Sequence, residues 1–276
     1  MSVKIVVDST VDLVPEVKAQ VKTVALSVLF GEQEYKDGKT INPVKFYEML
    51  TSSEVLPTTS QPTPAAFEDA YGELVEAGHE VVCITVSSKL SGTYQSATIA
   101  ADEFPGKVFV VDSRNAAIGA GILVEWALKL AEEGKNGQEI LEELMEKRKE
   151  IRLFAMVDTL EYLKKGGRLS STVAFVGGVL NLKPIICLED GEIKVFSKAR
   201  GLKAAFNTLT KACQDAGVKA DEPFMLGYTG FDDENLTKYM SENGDLWPSD
   251  SEKTIIGSAI GTHAGPGAIA MAFFAK

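Results

Sequence analysis

Cysteine and histidine are scarce in this chain, and their spacing argues against two classes of site. The three cysteines, Cys83, Cys187 and Cys213, are odd in number, far apart and set among apolar residues. We therefore expect buried thiols rather than a disulfide framework. The only two histidines, His79 and His263, are also far apart and match no metal-ligand spacing. The sequence predicts no bound metal.

Long apolar runs are missing as well. No segment reaches the roughly 20 consecutive apolar residues that a membrane-spanning helix needs. The amino terminus passes directly into the strand-like residues 4–8, without the apolar region and cleavage site of a signal peptide. We expect a soluble protein of the cytoplasm.

Positive charge and phosphate-binding loops are in short supply too. The chain has 28 basic and 39 acidic residues, which gives a formal net charge of −11. A nucleic-acid-binding surface normally shows clustered Lys and Arg, so we expect no nucleic-acid partner. Neither a Gly-x-Gly-x-x-Gly nor a Walker-type loop occurs, so no nucleotide cofactor is predicted.

The order of predicted elements indicates a two-part α/β protein. With 276 residues the chain can form two domains, each with its own core. Strands and helices alternate as far as residue 150, with residues 23–30 predicted as a single strand. Such alternation is typical of a parallel α/β domain. We place this domain at residues 1–151.

The remaining residues, 152–276, predict an α+β domain with a mixed sheet. Asp190-Gly191 is a strong two-residue hairpin signal between two strand-like segments. Two further strands, at residues 255–260 and 268–274, are predicted to close the chain.

Residues 81–97 carry the clearest signal for a ligand site. Their first six residues form a β-branched, apolar run, which predicts a strand buried on both faces of a parallel sheet. Small hydroxyls and backbone N–H groups then stand where a helix begins. They belong to Ser87, Ser88, Ser91, Gly92 and Thr93. A helix start favours anions, and ligands of open α/β sheets bind outside the carboxyl ends of the strands. An ordinary helix cap is the competing explanation.

Two other segments combine an unusual backbone with polar side chains. Residues 56–64 contain three prolines, which stiffen a predicted loop that carries Thr58, Thr59, Ser60 and Gln61. Residues 257–268 contain four glycines and a proline around the titratable side chain of His263. We predict an irregular loop for the second segment. At the level of sequence, its histidine can equally be a functional residue or an inert one.

These segments together resemble the DegV family of bacterial fatty-acid-binding proteins. The resemblance extends from the first strand to the last and depends on the order and spacing of seven short pieces. They are Asp8-Ser9-Thr10 with Asp12-Leu13, residues 59–62, residues 87–96, Asp112-Ser113, residues 160–170, Ala199-Arg200-Gly201 and residues 261–267. The resemblance implies a two-domain protein that encloses one long-chain fatty acid between its domains. Palmitate, stearate and oleate are examples of such a ligand, and no cofactor is expected.

The resemblance also implies which residues bind the head group. Thr59 and Ser91 would hold the carboxylate and His263 would lie close to it. The amide of Gly92, at the helix start, can replace part of the water that the carboxylate loses. Burying each methylene contributes about 0.8 kcal/mol, so a tail of roughly sixteen carbons supplies most of the affinity. We assign part of the tail pocket to Phe175, Val176 and Val179, although an ordinary core helix is the simpler explanation of those residues.

A further implication concerns a partner protein. Better understood DegV-like proteins are the lipid-carrying subunit of a two-component fatty acid kinase, so this chain would not be an enzyme by itself. It would present the acid to a separate ATP-binding kinase subunit, which makes acyl phosphate for phospholipid synthesis. Arg168 and Arg200 are the candidates for the kinase-facing surface. A carrier of this kind suits a monomer and allows transient contact with a membrane.

Two alternatives stay open at the level of sequence. The first is an acyl hydrolase or acyltransferase with Ser91 as nucleophile and His263 as base, although Ser91 is not in a Gly-x-Ser-x-Gly elbow. The second is a phosphate-ligand binder that uses the same helix start, although the hydroxyl loops lack cationic residues.

Overall fold

The computed structural model describes residues 2–169, 181–243, 245–248 and 250–276. Its strands are β1 (Val3–Asp8), β2 (Lys22–Val24), β3 (Ser27–Phe30), β4 (Gln33–Lys36), β5 (Thr58–Ser60), β6 (Glu80–Thr85), β7 (Val108–Asp112), β8 (Ile151–Met156), β9 (Leu182–Glu189), β10 (Glu192–Arg200), β11 (Phe224–Tyr228), β12 (Lys253–Ile255) and β13 (Ile269–Phe274). Its α-helices are α1 (Pro15–Lys18), α2 (Pro43–Ser52), α3 (Pro64–Glu76), α4 (Thr93–Ala101), α5 (Ala117–Glu132), α6 (Gly137–Lys147), α7 (Glu161–Lys165), α8 (Leu202–Ala216), α9 (Glu234–Glu242) and α10 (Ser258–Ala264).

Three sheets organise these elements. The parallel sheet has the strand order β2-β1-β6-β7. The mixed sheet has the order β10-β9-β8-β13-β11-β12, with β11 and β12 parallel and the other neighbours antiparallel. The small sheet, β4-β3-β5, is antiparallel. The predicted fold class, a parallel α/β part followed by an α+β part with a mixed sheet, is therefore confirmed. The boundary at residue 151 stays a prediction.

The parallel sheet is buried on both faces, as its apolar strands predict. On one face Val81 and Cys83 pack with α3 and α4. On the other, Val82 and Ile84 pack with α5. Local capping signals start two of the helices where expected: Asn42 accepts the N–H of Lys45 at 2.9 Å, and the Thr63 side chain begins α3 in the same way.

The mixed sheet has two different faces, and this difference creates space for a ligand. Phe154 and Met156 of β8 point toward α8 and α9, where they pack in an aromatic-rich core. Their neighbours Leu153 and Ala155 face the parallel sheet. Ala155 lies opposite Ala270 of β13, and this pair of small side chains leaves the centre of that face shallow. The hairpin between β9 and β10 forms as predicted, with positive φ at Asp190 and Gly191 (51° and 83°).

The prediction of one strand at residues 23–30 is wrong. The chain leaves the parallel sheet after β2 and enters the small sheet with β3. Leu26 makes the switch, because its N–H donates to Ser9 Oγ (3.0 Å) and its carbonyl accepts from the N–H of Asp37 (2.9 Å). A continuous apolar run carries no sign of such a change of partner. The predicted stiff loop at residues 56–64 likewise contains a short strand, β5, paired with β3.

The predictions for residues 255–268 need a second correction. The strand predicted at 255–260 ends at Ile255, and residues 258–264 form α10, so His263 lies on a helix rather than in an irregular loop. Two distant carboxylates bind the first amides of this helix. Asp12 accepts the N–H of Gly257 at 2.7 Å, while Asp37 accepts those of Ser258 and Ala259 at 3.1 and 3.2 Å. These caps come from more than 200 residues away, where a local pattern cannot reveal them.

Candidate functional site

An apolar cavity separates the mixed sheet from the carboxyl edge of the parallel sheet. The shallow face of the mixed sheet forms one wall, and the turns after β1 and β6, with α10 and the start of α5, form the others. The sheet-side wall includes Leu153, Ala155, Val157, Ile186, Ala268 and Ala270. The space between the lining atoms, mouth included, is about 870 Å³. Small-molecule sites are usually lined mostly by apolar side chains, as this cavity is.

Polar side chains gather in only part of the cavity wall. Among the described lining residues they are Thr10, Thr59, Ser91, Arg168, Thr229 and His263. Thr59 Oγ1 lies 3.0 Å from His263 Nε2, which joins the β5 segment to α10 across 204 positions of sequence. The structure thus brings three of the residues predicted for a carboxylate site, Thr59, Ser91 and His263, to one cavity.

His263 is held as a neutral imidazole. Burial, with a smaller effect from the positive charge of Arg168, lowers its pKa from 6.5 to about 4. The other ring nitrogen, Nδ1, is buried and has no hydrogen-bond partner among the described residues. It lies against Gly166, where any side chain would collide with the ring. A neutral imidazole can offer Nε2 as donor or acceptor, according to its tautomer.

The turn after β6 presents Ser91 to the cavity. Ser91 Oγ lies 2.9 Å from Thr93 Oγ1 and accepts the N–H of Thr93 at 3.3 Å, so the hydroxyl is oriented by the first residue of α4. Gly92 follows Ser91 but is not part of the described cavity wall. Gln61 covers it, with Nε2 donating to the Gly92 carbonyl (3.2 Å) and to Ser96 Oγ (2.9 Å). Through Gln61, the segment that carries Thr59 is tied to the helix start that carries Ser91.

Arg168 lies at the cavity rather than wholly on the surface. It is half-buried, with Nε donating to the carbonyl of Leu90 (3.0 Å) and a terminal nitrogen donating to that of Gly166 (2.7 Å). Sequence reasoning missed this cationic contribution to the site. The signal was the Gly166-Gly167 stop, which turns the chain back so that the next residue reaches Leu90. Arg200, the other arginine predicted to face a kinase, is exposed at the end of β10.

Buried carboxylates hold the loops around the cavity in place. Asp8 accepts the N–H of Val86 at 2.7 Å and that of Thr10 at 2.8 Å, which joins the turns after β1 and β6. Asp12 and Asp37 anchor α10, as described above. Burial raises the pKa of all three carboxyl groups above the ordinary value. Each works through backbone amides and so positions residues that line the cavity.

Comparison with known proteins identifies the family. A family model described as "Uncharacterised protein, DegV family" matches residues 2–276. The chain belongs to the DegV family. A DegV domain-containing protein of Deinococcus radiodurans is 35% identical over 279 residues, which cover 99% of this chain and 98% of that protein.

Solved DegV structures share the whole fold. A DegV family protein of Thermus thermophilus, described in terms of its fatty acid binding, has a TM-score of 0.90 and 34% identity and covers 100% of both chains. A stearic-acid-binding protein of Eubacterium ventriosum has a TM-score of 0.83 and 30% identity over 99% of this chain and 98% of its own. The resemblance to DegV proteins inferred from short motifs is confirmed over the full length.

Three residues predicted to line the tail pocket lie outside the part of the chain that the structure describes: Phe175, Val176 and Val179. Within the described ranges, no group of three or more His, Cys, Asp or Glu side chains is placed to hold a metal ion. No helix in those ranges combines the length and apolar character required to cross a membrane.

The geometry of this DegV site does not form a nucleophile and base. His263 Nε2 bonds with Thr59, while Ser91 Oγ bonds with Thr93. In the described part of the chain no carboxylate bonds His263 Nδ1, which leaves the ring without the partner that orients a catalytic histidine. This arrangement disfavours the hydrolase and acyltransferase alternative.

Proposed function

We propose that this protein binds a single long-chain fatty acid, with the acyl tail in the apolar cavity and the carboxylate at its polar part. The observation that supports the proposal is an apolar cavity with four of these polar residues in its wall: Thr59, Ser91, Arg168 and His263. A fatty acid has the same division into one long apolar part and one small anionic group. The fatty acids bound by the similar Thermus and Eubacterium proteins support the same ligand class.

The tail supplies most of the affinity in this proposal. At about 0.8 kcal/mol per buried methylene, a chain of roughly sixteen carbons gains on the order of 12 kcal/mol before the costs of ordering. Palmitate, stearate and oleate all meet this requirement. The described sheet-side wall is entirely aliphatic, which fits a saturated or monounsaturated chain without further polar groups.

The carboxylate is held by hydroxyl and imidazole donors. Thr59 and Ser91 contribute O–H groups, and His263 contributes an N–H in the tautomer that carries its proton on Nε2. Arg168 adds a positive charge on the cavity wall, which lowers the cost of bringing an anion out of water. The Gly92 amide, which the sequence predicts as a direct donor, would support the site by starting α4 behind Ser91.

The second step of the proposal is transfer to a partner. The protein presents the bound acid to a separate ATP-dependent kinase subunit, which phosphorylates the carboxylate for phospholipid synthesis. Arg168 and Arg200 face that subunit, Arg168 beside the head group and Arg200 on the surface. The carrier acts as a cytoplasmic monomer without catalysis of its own, touches the membrane transiently, and has its domain boundary at residue 151.

Native mass spectrometry tests the binding step. The freshly purified protein should carry one fatty acid per chain, released intact by solvent extraction. Thr59→Val and Ser91→Ala should each weaken retention roughly tenfold to a hundredfold, because each removes a hydrogen bond to a charged group. Thr98→Val, on α4 and outside the cavity wall, is the matched control. A protein that carries no lipid and takes up neither palmitate nor oleate would refute the proposal.

The transfer step has its own assay. Acyl phosphate formation should require this protein, ATP and a fatty acid kinase subunit together. Arg200→Ala should reduce that rate while lipid retention stays unchanged. If the variant supports the full rate, Arg200 is not at the docking surface, and if the isolated protein turns over acyl esters, the carrier assignment fails.

A further inference from the structure

A second cavity, distinct from the apolar one, gathers most of the chain's arginines. The sequence contains only five arginines against a net charge of −11. Three of them, Arg114, Arg148 and Arg152, line this single cavity. We refer to it as the arginine cleft. Such a concentration of guanidinium groups on an acidic protein calls for a physical explanation.

The arginine cleft forms where two strands separate. β8 and β9 pair from Met156–Ile185 to Phe154–Cys187, and the described pairing stops there. Beyond that point Leu153 and Leu188 both lie in the wall of the cleft. The parting of the two strands opens the space that the cleft residues line.

The arginine charges are only partly offset by neighbouring carboxylates. Across the described residues, none of the three forms an ion pair, although Lys149 and Lys194 at the same cleft are paired with Glu146 and Glu192. Glu189 and Asp190 also border the cleft, so its excess of positive charge comes from the three arginines. A cluster of guanidinium groups in this state attracts an anion.

Arg148 carries the sharpest sign of a missing partner. One terminal nitrogen donates to the backbone carbonyl of Asp112, but Nε is buried without any described hydrogen-bond partner. Burial lowers the pKa of Arg148; the Asp112 carboxylate opposes this shift, and the positive charge of Arg114 adds to it. Holding two like charges here costs free energy that a bound anion would offset.

The wall of the arginine cleft also contains an exposed aromatic side chain. Phe196 is 49% exposed and packs edge-on against Phe154, with ring centroids 5.2 Å apart. Both rings are in the wall of the cleft. An exposed ring next to guanidinium groups can receive a flat, apolar group whose other end carries phosphates.

We propose that the arginine cleft binds a nucleoside polyphosphate, with its phosphoryl oxygens on Arg114, Arg148 and Arg152 and its base against Phe196. The site is separate from the fatty-acid head group. The arginine cleft adjoins the apolar cavity, with which it shares Leu153 and Leu188, but none of the polar residues assigned to the head group lines the cleft. The proposal therefore holds whether or not the apolar cavity binds a fatty acid.

Isothermal titration calorimetry tests this site with three probes: ADP, pyrophosphate and adenosine, in low-salt buffer without divalent metal. We expect ADP to bind, pyrophosphate to bind more weakly and adenosine to give no signal. Arg148→Gln and Arg152→Gln should each weaken ADP binding roughly tenfold to a hundredfold, because each removes a charge-assisted hydrogen bond. Lys203→Gln, near the start of α8, removes one positive charge outside the cleft and should bind ADP as the parent protein does.

Folding and non-specific attraction have separate readouts. Arg148 bonds the Asp112 carbonyl, so its variant is first checked by thermal unfolding, and Arg152→Gln gives the result if Arg148→Gln is unfolded. An equal loss of binding in Lys203→Gln would show a general charge effect and overturn the proposal. So would a lack of ADP binding by the parent protein, or binding to phosphatidylglycerol vesicles with none to ADP.

Discussion

The hydrogen bond between Thr59 and His263 decides the chemistry of the cavity's polar part. It uses Nε2 of a ring that burial keeps neutral at neutral pH. A neutral imidazole beside a hydroxyl can rearrange its donors toward an arriving carboxylate without first losing a proton. The same burial makes His263 a source of pH-dependent stability, which can be measured without any lipid.

We predict that His263 destabilises the lipid-free protein in mild acid. Its pKa is about 4 in the folded state and 6.5 unperturbed, so the unfolded chain takes up a proton first as the pH falls from about 6.5 to 4. Over that window the free energy of unfolding should drop by up to roughly 3 kcal/mol on account of this group. Urea unfolding at several pH values, compared between the parent protein and His263→Gln, measures the drop.

The difference in unfolding free energy between the parent protein and His263→Gln measures the contribution of the histidine, because the buried carboxylates contribute equally to both proteins. Those carboxylates act with the opposite sign: their raised pKa values add stability at low pH that is lost as the pH rises. His79→Gln replaces the exposed histidine and serves as the control. Parallel pH profiles for the parent protein and His263→Gln would contradict the prediction.

Helix α10 depends on carboxylates supplied by other elements. With seven residues it is short, and isolated helices of that length are unstable in water. Asp12 and Asp37 satisfy three of its first amides, and Tyr47 donates its hydroxyl to the carbonyl of Ile256 just before it, at 3.0 Å. These contacts fix the direction in which the helix presents His263.

The two carboxylates should respond differently to the same substitution. In the parent protein both Asp37 oxygens accept hydrogen bonds from backbone N–H groups. Asp37→Asn replaces one of these oxygens with an NH₂ group that faces a backbone N–H, so the free energy of unfolding should fall by about 1–3 kcal/mol. Asp12→Asn keeps the oxygen that accepts from Gly257 and removes the charge on an oxygen that has no described partner. We expect it to be neutral or stabilising. Urea unfolding at pH 7 compares them, and equal losses would count against this account.

The shallow face of the mixed sheet should determine acyl chain length. Ala155 lies between Ile186 and Ala270 in the cavity wall, so Ala155→Leu fills space that the tail needs. We predict that the variant retains shorter acyl chains than the parent protein, as identified by mass spectrometry of the extracted lipid. Ala101→Leu, on α4 and outside the cavity wall, is the size-matched control. An unchanged lipid profile would place the tail elsewhere.

Across the whole molecule, the apolar cavity lies at the junction of the two large sheets. The hairpin between β9 and β10 also joins them, where Ser87 Oγ donates to the carbonyl of Gly191 at 2.7 Å. A ligand in this position contacts both parts of the chain. It should therefore stabilise them together rather than one alone.

We predict that lipid removal lowers the thermal unfolding temperature in a single transition. A ligand bound only by the folded state adds about 2.7 kcal/mol when its free concentration is a hundred times its Kd. Calorimetry of delipidated protein, with and without added palmitate, measures the shift. The doubly substituted Thr59→Val, Ser91→Ala protein should show a smaller shift. Two separate transitions, with only one of them sensitive to palmitate, would contradict the prediction.

The sequence by itself determined the features that depend on near neighbours. The apolar run of β6 predicts a strand buried on both faces, Asn42 and Thr63 start their helices within three residues, and Asp190-Gly191 forms its hairpin. The order of short motifs was also sufficient for the family. Each of these signals depends on residues that are close in sequence, so it can be recognised without knowledge of the fold.

Tertiary structure alone decided the rest of the site. The helix that carries His263 depends on carboxylates more than 200 positions away, and the chain switches sheets at Leu26 because Ser9 and Asp37 supply its partners. Arg168 joins the cavity wall because its guanidinium reaches the Leu90 carbonyl. In every case the deciding group is distant in sequence and near in space, and backbone groups bond to whatever partner the fold brings within 3 Å.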